Sequence, residues 1–312
     1  MIKMDKIKNK IFVLGAAKSG TTAMHYALQK HDAIFMSVPK EPLFFEAEYE
    51  KGLEFYYERY YSGWSGQPVI GESRHRNLYL PYIPDRINEK FPDALFIVIA
   101  RNPVERAHSH WWHWYSRGME KMGFEEVVER NIRMKESGVI DDIIRSSKKY
   151  KDTLDLQTGY STIPSYIDSG YYAIQINRYI EKFGRHKIHI ILFDELIKNP
   201  VGVMREVGNF LGLANLGEIL LEPRNKAMSQ VGHIILKYAK RVPLRGYLPS
   251  NIRRDLGSIL QSALSSREKK PKISHSIYNE LMCHYASHIA QFESLCGRSI
   301  VEWKRKKGRE AG

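Results

Sequence analysis

Cysteine is scarce in this chain, and its scarcity excludes one class of fold. The 312 residues include only two cysteines, Cys283 and Cys296. Small secreted proteins that rely on disulfides carry many more, so the sequence does not predict a disulfide framework. The cysteines and histidines also lack the spacing of zinc ligands, and we expect no metal site.

Long apolar runs are absent as well. No stretch reaches the roughly 18 apolar residues that a membrane-spanning helix needs. Residues 1–10 are basic, but only the four apolar residues Ile11–Leu14 follow before Gly15. That run is too short for the apolar region of a signal peptide. We therefore expect no membrane span, and we interpret residues 11–14 as a strand.

Acidic residues are outnumbered by basic ones. The chain has 35 Asp and Glu against 48 Lys and Arg, a net charge of +13. This balance favours an anionic ligand. Nucleic acid would also fit the charge, but the sequence carries no helix-turn-helix, zinc-finger, RNA-recognition or OB-fold signature. We therefore expect no nucleic-acid partner.

The first motif, Gly-Ala-Ala-Lys-Ser-Gly-Thr-Thr at residues 15–22, lies between an apolar strand and a helix. This arrangement directs backbone N–H groups and the positive end of a helix dipole at a phosphate. Lys18 adds a charge, and Thr21 and Thr22 add hydroxyl donors. In a nucleotide P-loop the second glycine is followed by Lys and then Ser or Thr, whereas here the two threonines follow Gly20. A tight turn that binds no ligand is the alternative.

The second motif follows another apolar run, residues 94–100. Arg101 stands at the end of this predicted strand, Asn102 is a good helix N-cap, and Ser109 lies about two turns into the helix. Ligands of open α/β sheets bind outside the carboxyl ends of the strands. Arg101 and Ser109 could therefore hold a second phosphate, unless Arg101 only pairs with Glu105.

Alternating strands and helices predict an α/β fold with a mostly parallel sheet. The strands are expected at 11–14, 34–36, 69–72, 94–100 and 187–193. The polar stretch 133–160 is interpreted as a mobile insertion or substrate loop with some helix. Helices are expected in the C-terminal third, at about 228–240, 251–264 and 275–295. The whole chain, 1–312, fits one domain, with a core at about 10–215, a helical part at 216–303 and a basic tail at 304–312.

Together the two motifs resemble those of the sulfotransferases that use 3′-phosphoadenosine 5′-phosphosulfate (PAPS). They read A-x-K-S-G-T-T and R-N-P-x-E-R-x-x-S, in the same order as in that family. Segments 40–45, 169–172 and 188–196 support the likeness, which covers roughly residues 10–215. The resemblance implies a P-loop-like three-layer fold and sulfuryl transfer from PAPS without a metal.

In that family the first loop holds the 5′-phosphosulfate and the second holds the 3′-phosphate. The resemblance therefore assigns the 5′ side to Lys18, Ser19, Gly20, Thr21 and Thr22. It assigns the 3′-phosphate to Arg101 and Ser109. A loop near the C-terminus usually completes the site; here the candidates are Arg224 and Lys226, and a solvated loop is the alternative.

Glu41 matches the glutamate that acts as general base in heparan-sulfate-type relatives, and a simple ion pair with Lys40 is the alternative. His75 is the other candidate base, since many small-molecule sulfotransferases use a histidine near this place. Relatives often carry Lys or Thr just after the glutamate at position 72, which this chain does not. Glu72 and Arg74 are therefore left as candidate substrate contacts.

The Lys-Glu-Pro segment at 40–42 favours a carbohydrate acceptor. A glycolipid or a secondary metabolite is the alternative acceptor. Many animal relatives have an N-terminal Golgi anchor, which the sequence does not show, so we expect a cytoplasmic, bacterial enzyme. Two other functions stay open. One is a P-loop-like nucleotide kinase that needs Mg²⁺ and ATP, and the other is a non-catalytic anion- or glycan-binding protein on the same scaffold.

Overall fold

A computed structural model describes residues 9–155, 160–163, 165–222 and 270–304. Its strands are β1 Asn9–Gly15, β2 Ile34–Met36, β3 Val69–Ser73, β4 Leu95–Ala100, β5 Leu154–Asp155, β6 Tyr160–Ser161 and β7 Ile188–Leu192. Five of them form one sheet in the order β2-β3-β1-β4-β7, and every pairing in it is parallel. β5 and β6 form a separate antiparallel pair. The predicted strands are therefore confirmed, with ends that differ by one or two residues.

Helices connect the strands. They are α1 Thr21–Gln29, α2 Gly52–Tyr61, α3 His75–Tyr79, α4 Ile83–Lys90, α5 Pro103–Tyr115, α6 Phe124–Glu136, α7 Val139–Arg145, α8 Ser147–Asp152, α9 Tyr172–Phe183, α10 Phe193–Lys198, α11 Pro200–Leu211, α12 His275–Cys296 and α13 Val301–Lys304. A π-helical turn covers Phe44–Glu48. In the described part of the chain, none of these helices is both long and apolar enough to cross a membrane.

Helices cover both faces of the sheet, which confirms the three-layer α/β fold. Along β1, Phe12 and Leu14 enter one apolar core, while Ile11 and Val13 enter the other. The second core is completed by α1 and α11, and the first and larger one by α2, α4, α5, α9 and α12. Strands that are buried on both faces read as continuous apolar runs, as β1 and β4 do.

Residues 133–155, interpreted as a mobile insertion or substrate loop with some helix, are mostly helical, and their burial in the core contradicts a mobile insertion. α6 runs on to Glu136, and α7 and α8 follow it almost without a break. Ile140, Ile144 and Tyr150 are buried in the larger core. Their spacing puts one apolar face on each short helix, and the surrounding Lys, Ser and Asp residues hide that pattern in the composition.

The C-terminal helix α12 confirms the helix predicted at 275–295. Its residues Ile277, Leu281 and Phe292 are buried, and the hydroxyl of Tyr285 donates to the backbone oxygen of Ile167 at 2.7 Å. The helices predicted at 228–240 and 251–264, and nearly all of the basic tail, lie outside the described residues.

Candidate active site

The loop between β1 and α1 presents unsatisfied polar groups at the carboxyl end of the sheet. Gly20 precedes α1 with a φ of 91°, and a Cβ there would lie 3.0 Å from Leu196 Cδ2, so the position favours glycine. Among the described residues, no side chain caps the start of α1, and the buried hydroxyl of Ser19 has no hydrogen-bond partner. A helix start of this kind readily binds a phosphate.

Lys18 lies in the same loop, in a left-handed backbone conformation with a φ of 68°. Its Nζ is 3.0 Å from Nδ1 of His113 on α5. Burial, together with the charges of Arg117 and Arg101, lowers the pKa of Lys18 from its usual 10.5 to about 8. Positive charges that crowd one another are stabilised when an anion binds between them, so this arrangement favours a highly charged anion.

Arg101 connects the second motif to the first. It follows β4, and its Nη1 donates to the backbone oxygen of Lys18 at 3.3 Å, while the guanidinium lies 4.7 Å from the ring centre of Phe193. It also pairs with Glu105 at 3.2 Å. This is the ion pair expected under the alternative that Arg101 only pairs with Glu105 and holds no phosphate. The Arg101 Nε is buried and has no hydrogen-bond partner in the described part of the chain.

Helix α5 carries Ser109 toward this region. The helix begins as predicted, because Oδ1 of Asn102 accepts two backbone N–H groups of the first turn, at 3.1 and 3.2 Å. Ser109 is half-buried, and His113, four residues later, lies on the same face of the helix. Because His113 contacts Lys18, this face of α5 adjoins the loop between β1 and α1, which we call the phosphate loop after its expected ligand. The structure thus brings Lys18 and Arg101 into contact, and Ser109 lies on the face of α5 whose His113 contacts Lys18.

A second cluster surrounds Glu41, whose backbone is also left-handed, with a φ of 68°. Its carboxylate pairs with the Lys40 ammonium and lies 3.5 Å from Nη1 of Arg74 and 3.3 Å from Nδ1 of His75. Burial acts to raise the pKa of Glu41, but these three neighbours outweigh it and hold the pKa well below its usual range. Glu41 is therefore ionised at neutral pH.

His75 opens α3, next to the phosphate loop. A Cβ added to Gly15 would lie 3.6 Å from the backbone oxygen of His75. Burial lowers the pKa of His75 to about 4, although Glu41 acts to raise it. The imidazole is therefore neutral at pH 7. The charge of Lys40, the partner of Glu41, also lowers the pKa of Lys18, so the two clusters adjoin.

Arg74 is buried between two carboxylates. Its Nε and Nη2 both lie 2.6 Å from Oε2 of Glu46, which is fully buried, and the hydroxyl of Tyr150 donates to the other oxygen of Glu46 at 2.9 Å. No motif in the sequence points to Glu46, Tyr150 or His113. His113 could have been found from its spacing to Ser109, but the other two are brought together only by tertiary packing.

The structure does not bring Glu72 to this cluster. Its carboxylate accepts hydrogen bonds from the hydroxyl of Tyr56 and, at 2.9 Å, from the amide of Asn77. Nζ of Lys10 lies 3.6 Å away, and both charged side chains are almost fully buried. Glu72 therefore belongs to a closed network inside the larger core, and this arrangement gives no support to its expected contact with a substrate.

Arg224 and Lys226, the candidates for a further phosphate contact, lie outside the described residues. Trp111, an aromatic residue after the second motif, packs in the core against Phe124 with ring centres 5.5 Å apart. Within the described ranges, no group of three His, Cys, Asp or Glu side chains is arranged to hold a metal ion.

Comparisons with known proteins agree on one family. A family model described as a sulfotransferase domain matches residues 8–293. The chain is 28% identical over 204 residues to the mouse heparan sulfate glucosamine 3-O-sulfotransferase 3B1, which covers 65% of this chain and 46% of that protein. It is 24% identical over 273 residues to the membrane-associated sulfotransferase kil1 of Dictyostelium discoideum, covering 68% of this chain and 58% of that protein. The chain thus spans about half the length of these relatives.

A solved structure has the same fold. The crystal structure of a sulfotransferase from Alicyclobacillus acidocaldarius matches with a TM-score of 0.62 and 23% identity. The match covers 95% of this chain and 99% of that one.

Proposed function

Because the chain belongs to the sulfotransferase family, whose members use PAPS, we propose that it transfers a sulfuryl group from PAPS to a hydroxyl or amine of an acceptor. The observation that carries this proposal is the contact between the two motifs, in which Arg101 donates to the backbone oxygen of Lys18. A ligand with phosphates at both ends of one ribose would meet both motifs at once. PAPS is such a ligand.

Each part of the site has a role in the transfer. Backbone N–H groups and hydroxyls of residues 19–22 hold the 5′-phosphate, and Arg101 and Ser109 hold the 3′-phosphate. The acceptor attacks sulfur in line with the bond that breaks, and Lys18 stabilises the negative charge that develops on the leaving phosphate. The positive charge comes from side chains and a helix start, so the proposed chemistry needs no metal.

The acceptor's proton goes to the pair formed by Glu41 and His75, which adjoins the phosphate loop. We propose a carbohydrate acceptor, on the strength of the Lys-Glu-Pro segment at 40–42 and of the named heparan sulfate relative. Lys40 and Arg74 surround the pair with positive charge, which suits a glycan that carries acidic groups. A small-molecule hydroxyl is the alternative acceptor.

Calorimetric titration with 3′-phosphoadenosine 5′-phosphate (PAP), in the presence of a chelator, tests the co-substrate. We expect metal-free binding that the Lys18→Ala variant weakens by about 10- to 100-fold, because a charged hydrogen bond is lost. Arg133→Ala is the control, since Arg133 is 70% exposed and pairs with the exposed Glu129. Binding of ATP with Mg²⁺ in place of PAP would instead favour the nucleotide kinase.

A further inference from the structure

We propose that Trp303 is a positioning residue for Arg101, the candidate ligand of the 3′-phosphate. The proposal rests on the proposed binding of PAPS, and it adds a part of the chain that neither motif contains. The matched family model ends at residue 293, and Trp303 lies beyond that end, in the short helix α13.

Trp303 is buried where α9, α10 and α12 meet. The residue is 1% exposed, and its ring is stacked on that of Phe292 in α12, with centres 5.5 Å apart and planes 8° apart. The ring of Tyr172, the first residue of α9, is centred 6.1 Å away. Nε1 of Trp303 donates a hydrogen bond to Oδ2 of Asp194 at 3.3 Å. Because a buried indole N–H needs a partner, this bond holds α13 against the first turn of α10.

The first connection from Trp303 to Arg101 passes through Tyr172. The Tyr172 hydroxyl donates to the backbone oxygen of Arg101 at 2.7 Å. The ring of Tyr172 lies between those of Trp303 and Phe292, and its centre is 5.4 Å from that of Phe292. A close-packed ring moves only when its neighbours make room. The indole therefore restrains the hydroxyl that holds the Arg101 backbone at the end of β4.

The second connection passes through α10 and reaches the guanidinium. Phe193 precedes Asp194 in this helix, and its ring centre lies 4.7 Å from the guanidinium carbon of Arg101. A Cβ added to Gly20 would lie 3.3 Å from the same ring, so Phe193 also borders the phosphate loop. A shift of α10 would therefore displace the aromatic surface that Arg101 contacts.

Ion pairs also join this end of the chain to α10. Arg298 pairs with Glu195 at 2.6 Å, and Lys198 pairs with Glu302 at 3.4 Å. All four side chains are more than one-third exposed, and ion pairs at such positions contribute little free energy. Among these contacts, the buried indole is therefore the one that most restrains α10.

A selectivity measurement tests the proposal. The affinities of PAP and adenosine 5′-phosphate are measured by calorimetry in the wild type and in Trp303→Leu, because only PAP carries the 3′-phosphate. The variant should bind PAP about tenfold more weakly, since a displaced guanidinium loses part of its charged hydrogen bonding. It should bind adenosine 5′-phosphate as the wild type does, whereas a general loss of folded structure would weaken the binding of both ligands alike.

Phe183→Leu is the matched control. Phe183 is buried at the other end of α9 from Tyr172, and it packs on Phe96 near the start of β4, with ring centres 4.6 Å apart. This change should lower the midpoint of urea unfolding, as Trp303→Leu should, but leave the ratio of the two affinities unchanged. Asp194→Ala removes only the acceptor of the indole N–H and serves if Trp303→Leu does not fold. It should lower the ratio about threefold.

A double-mutant cycle shows whether the effect passes through Arg101. In the Arg101→Ala background, Trp303→Leu should change the PAP affinity less than about twofold. An equal loss of PAP affinity with and without Arg101, or an unchanged preference for PAP in both Trp303→Leu and Asp194→Ala, would overturn the proposal. A wild type that binds PAP no more tightly than adenosine 5′-phosphate would instead overturn the proposed function.

Discussion

The affinity for PAP is expected to fall as the pH rises through the pKa of Lys18. Burial and then the charges of Arg117 and Arg101 place that pKa at about 8. A bound phosphate stabilises the ammonium form, so binding raises the pKa of Lys18 and takes up a proton. Roughly nine-tenths of the free protein carries the ammonium at pH 7 and roughly one-tenth at pH 9. Affinity should therefore drop about tenfold over this interval, or ~1.4 kcal/mol.

Titration calorimetry at pH 7, 8 and 9 measures this drop, and repeating it in buffers of different ionisation enthalpy counts the protons taken up. The phosphates of PAP should contribute little to the drop in affinity. Their second pKa values lie near 6, as for other phosphate monoesters, which is below the pH range of the titration. The Lys18→Arg variant is the matched control, since arginine keeps its charge throughout. A wild-type affinity that stays constant from pH 7 to 9, or an equal drop in Lys18→Arg, would refute the reasoning.

Two further predictions concern stability, and urea unfolding measures both. Arg74→Met should lower the free energy of unfolding by about 3–5 kcal/mol, because it leaves the buried carboxylate of Glu46 without its cation, and replacing both side chains by apolar ones should cost much less. An unchanged unfolding midpoint in the single variant would contradict the importance of this pair. Gly71→Ala should cost about 1–3 kcal/mol, since a Cβ there would lie 2.4 Å from Sδ of Met36, whereas Gly63→Ala, with 3.4 Å to its nearest neighbour, should cost much less. Equal losses at the two glycines would show that crowding is not the cause.

The local parts of the fold were predictable from the sequence. β1 and β4 are continuous apolar runs because both faces of the sheet are covered, and Asn102 caps α5 because its amide oxygen reaches the first turn. The phosphate loop comes directly after β1 in the chain. Such features depend on residues that are close in the chain, so a short segment contains the whole signal.

The parts that depend on long-range packing were not predictable. Glu46 and Tyr150 are 104 residues apart and meet beside Arg74, and no segment of the sequence contains both. The same holds at Glu72, for which the structure gives no support to the substrate contact expected from the sequence. Its carboxylate instead faces Tyr56 and Asn77 in the core. A motif locates a backbone segment, and tertiary packing decides which of its side chains reach the site.

The central claim is that the two motifs form one site that binds both phosphates of the same ligand. Comparing the affinities of PAP and adenosine 5′-phosphate, in the wild type and in Arg101→Ala, tests it most directly. The wild type should bind PAP about 10- to 100-fold more tightly, because only PAP carries the 3′-phosphate, and the variant should lose most of that difference. Equal affinities in the wild type, or a preference for PAP that survives in Arg101→Ala, would contradict the account.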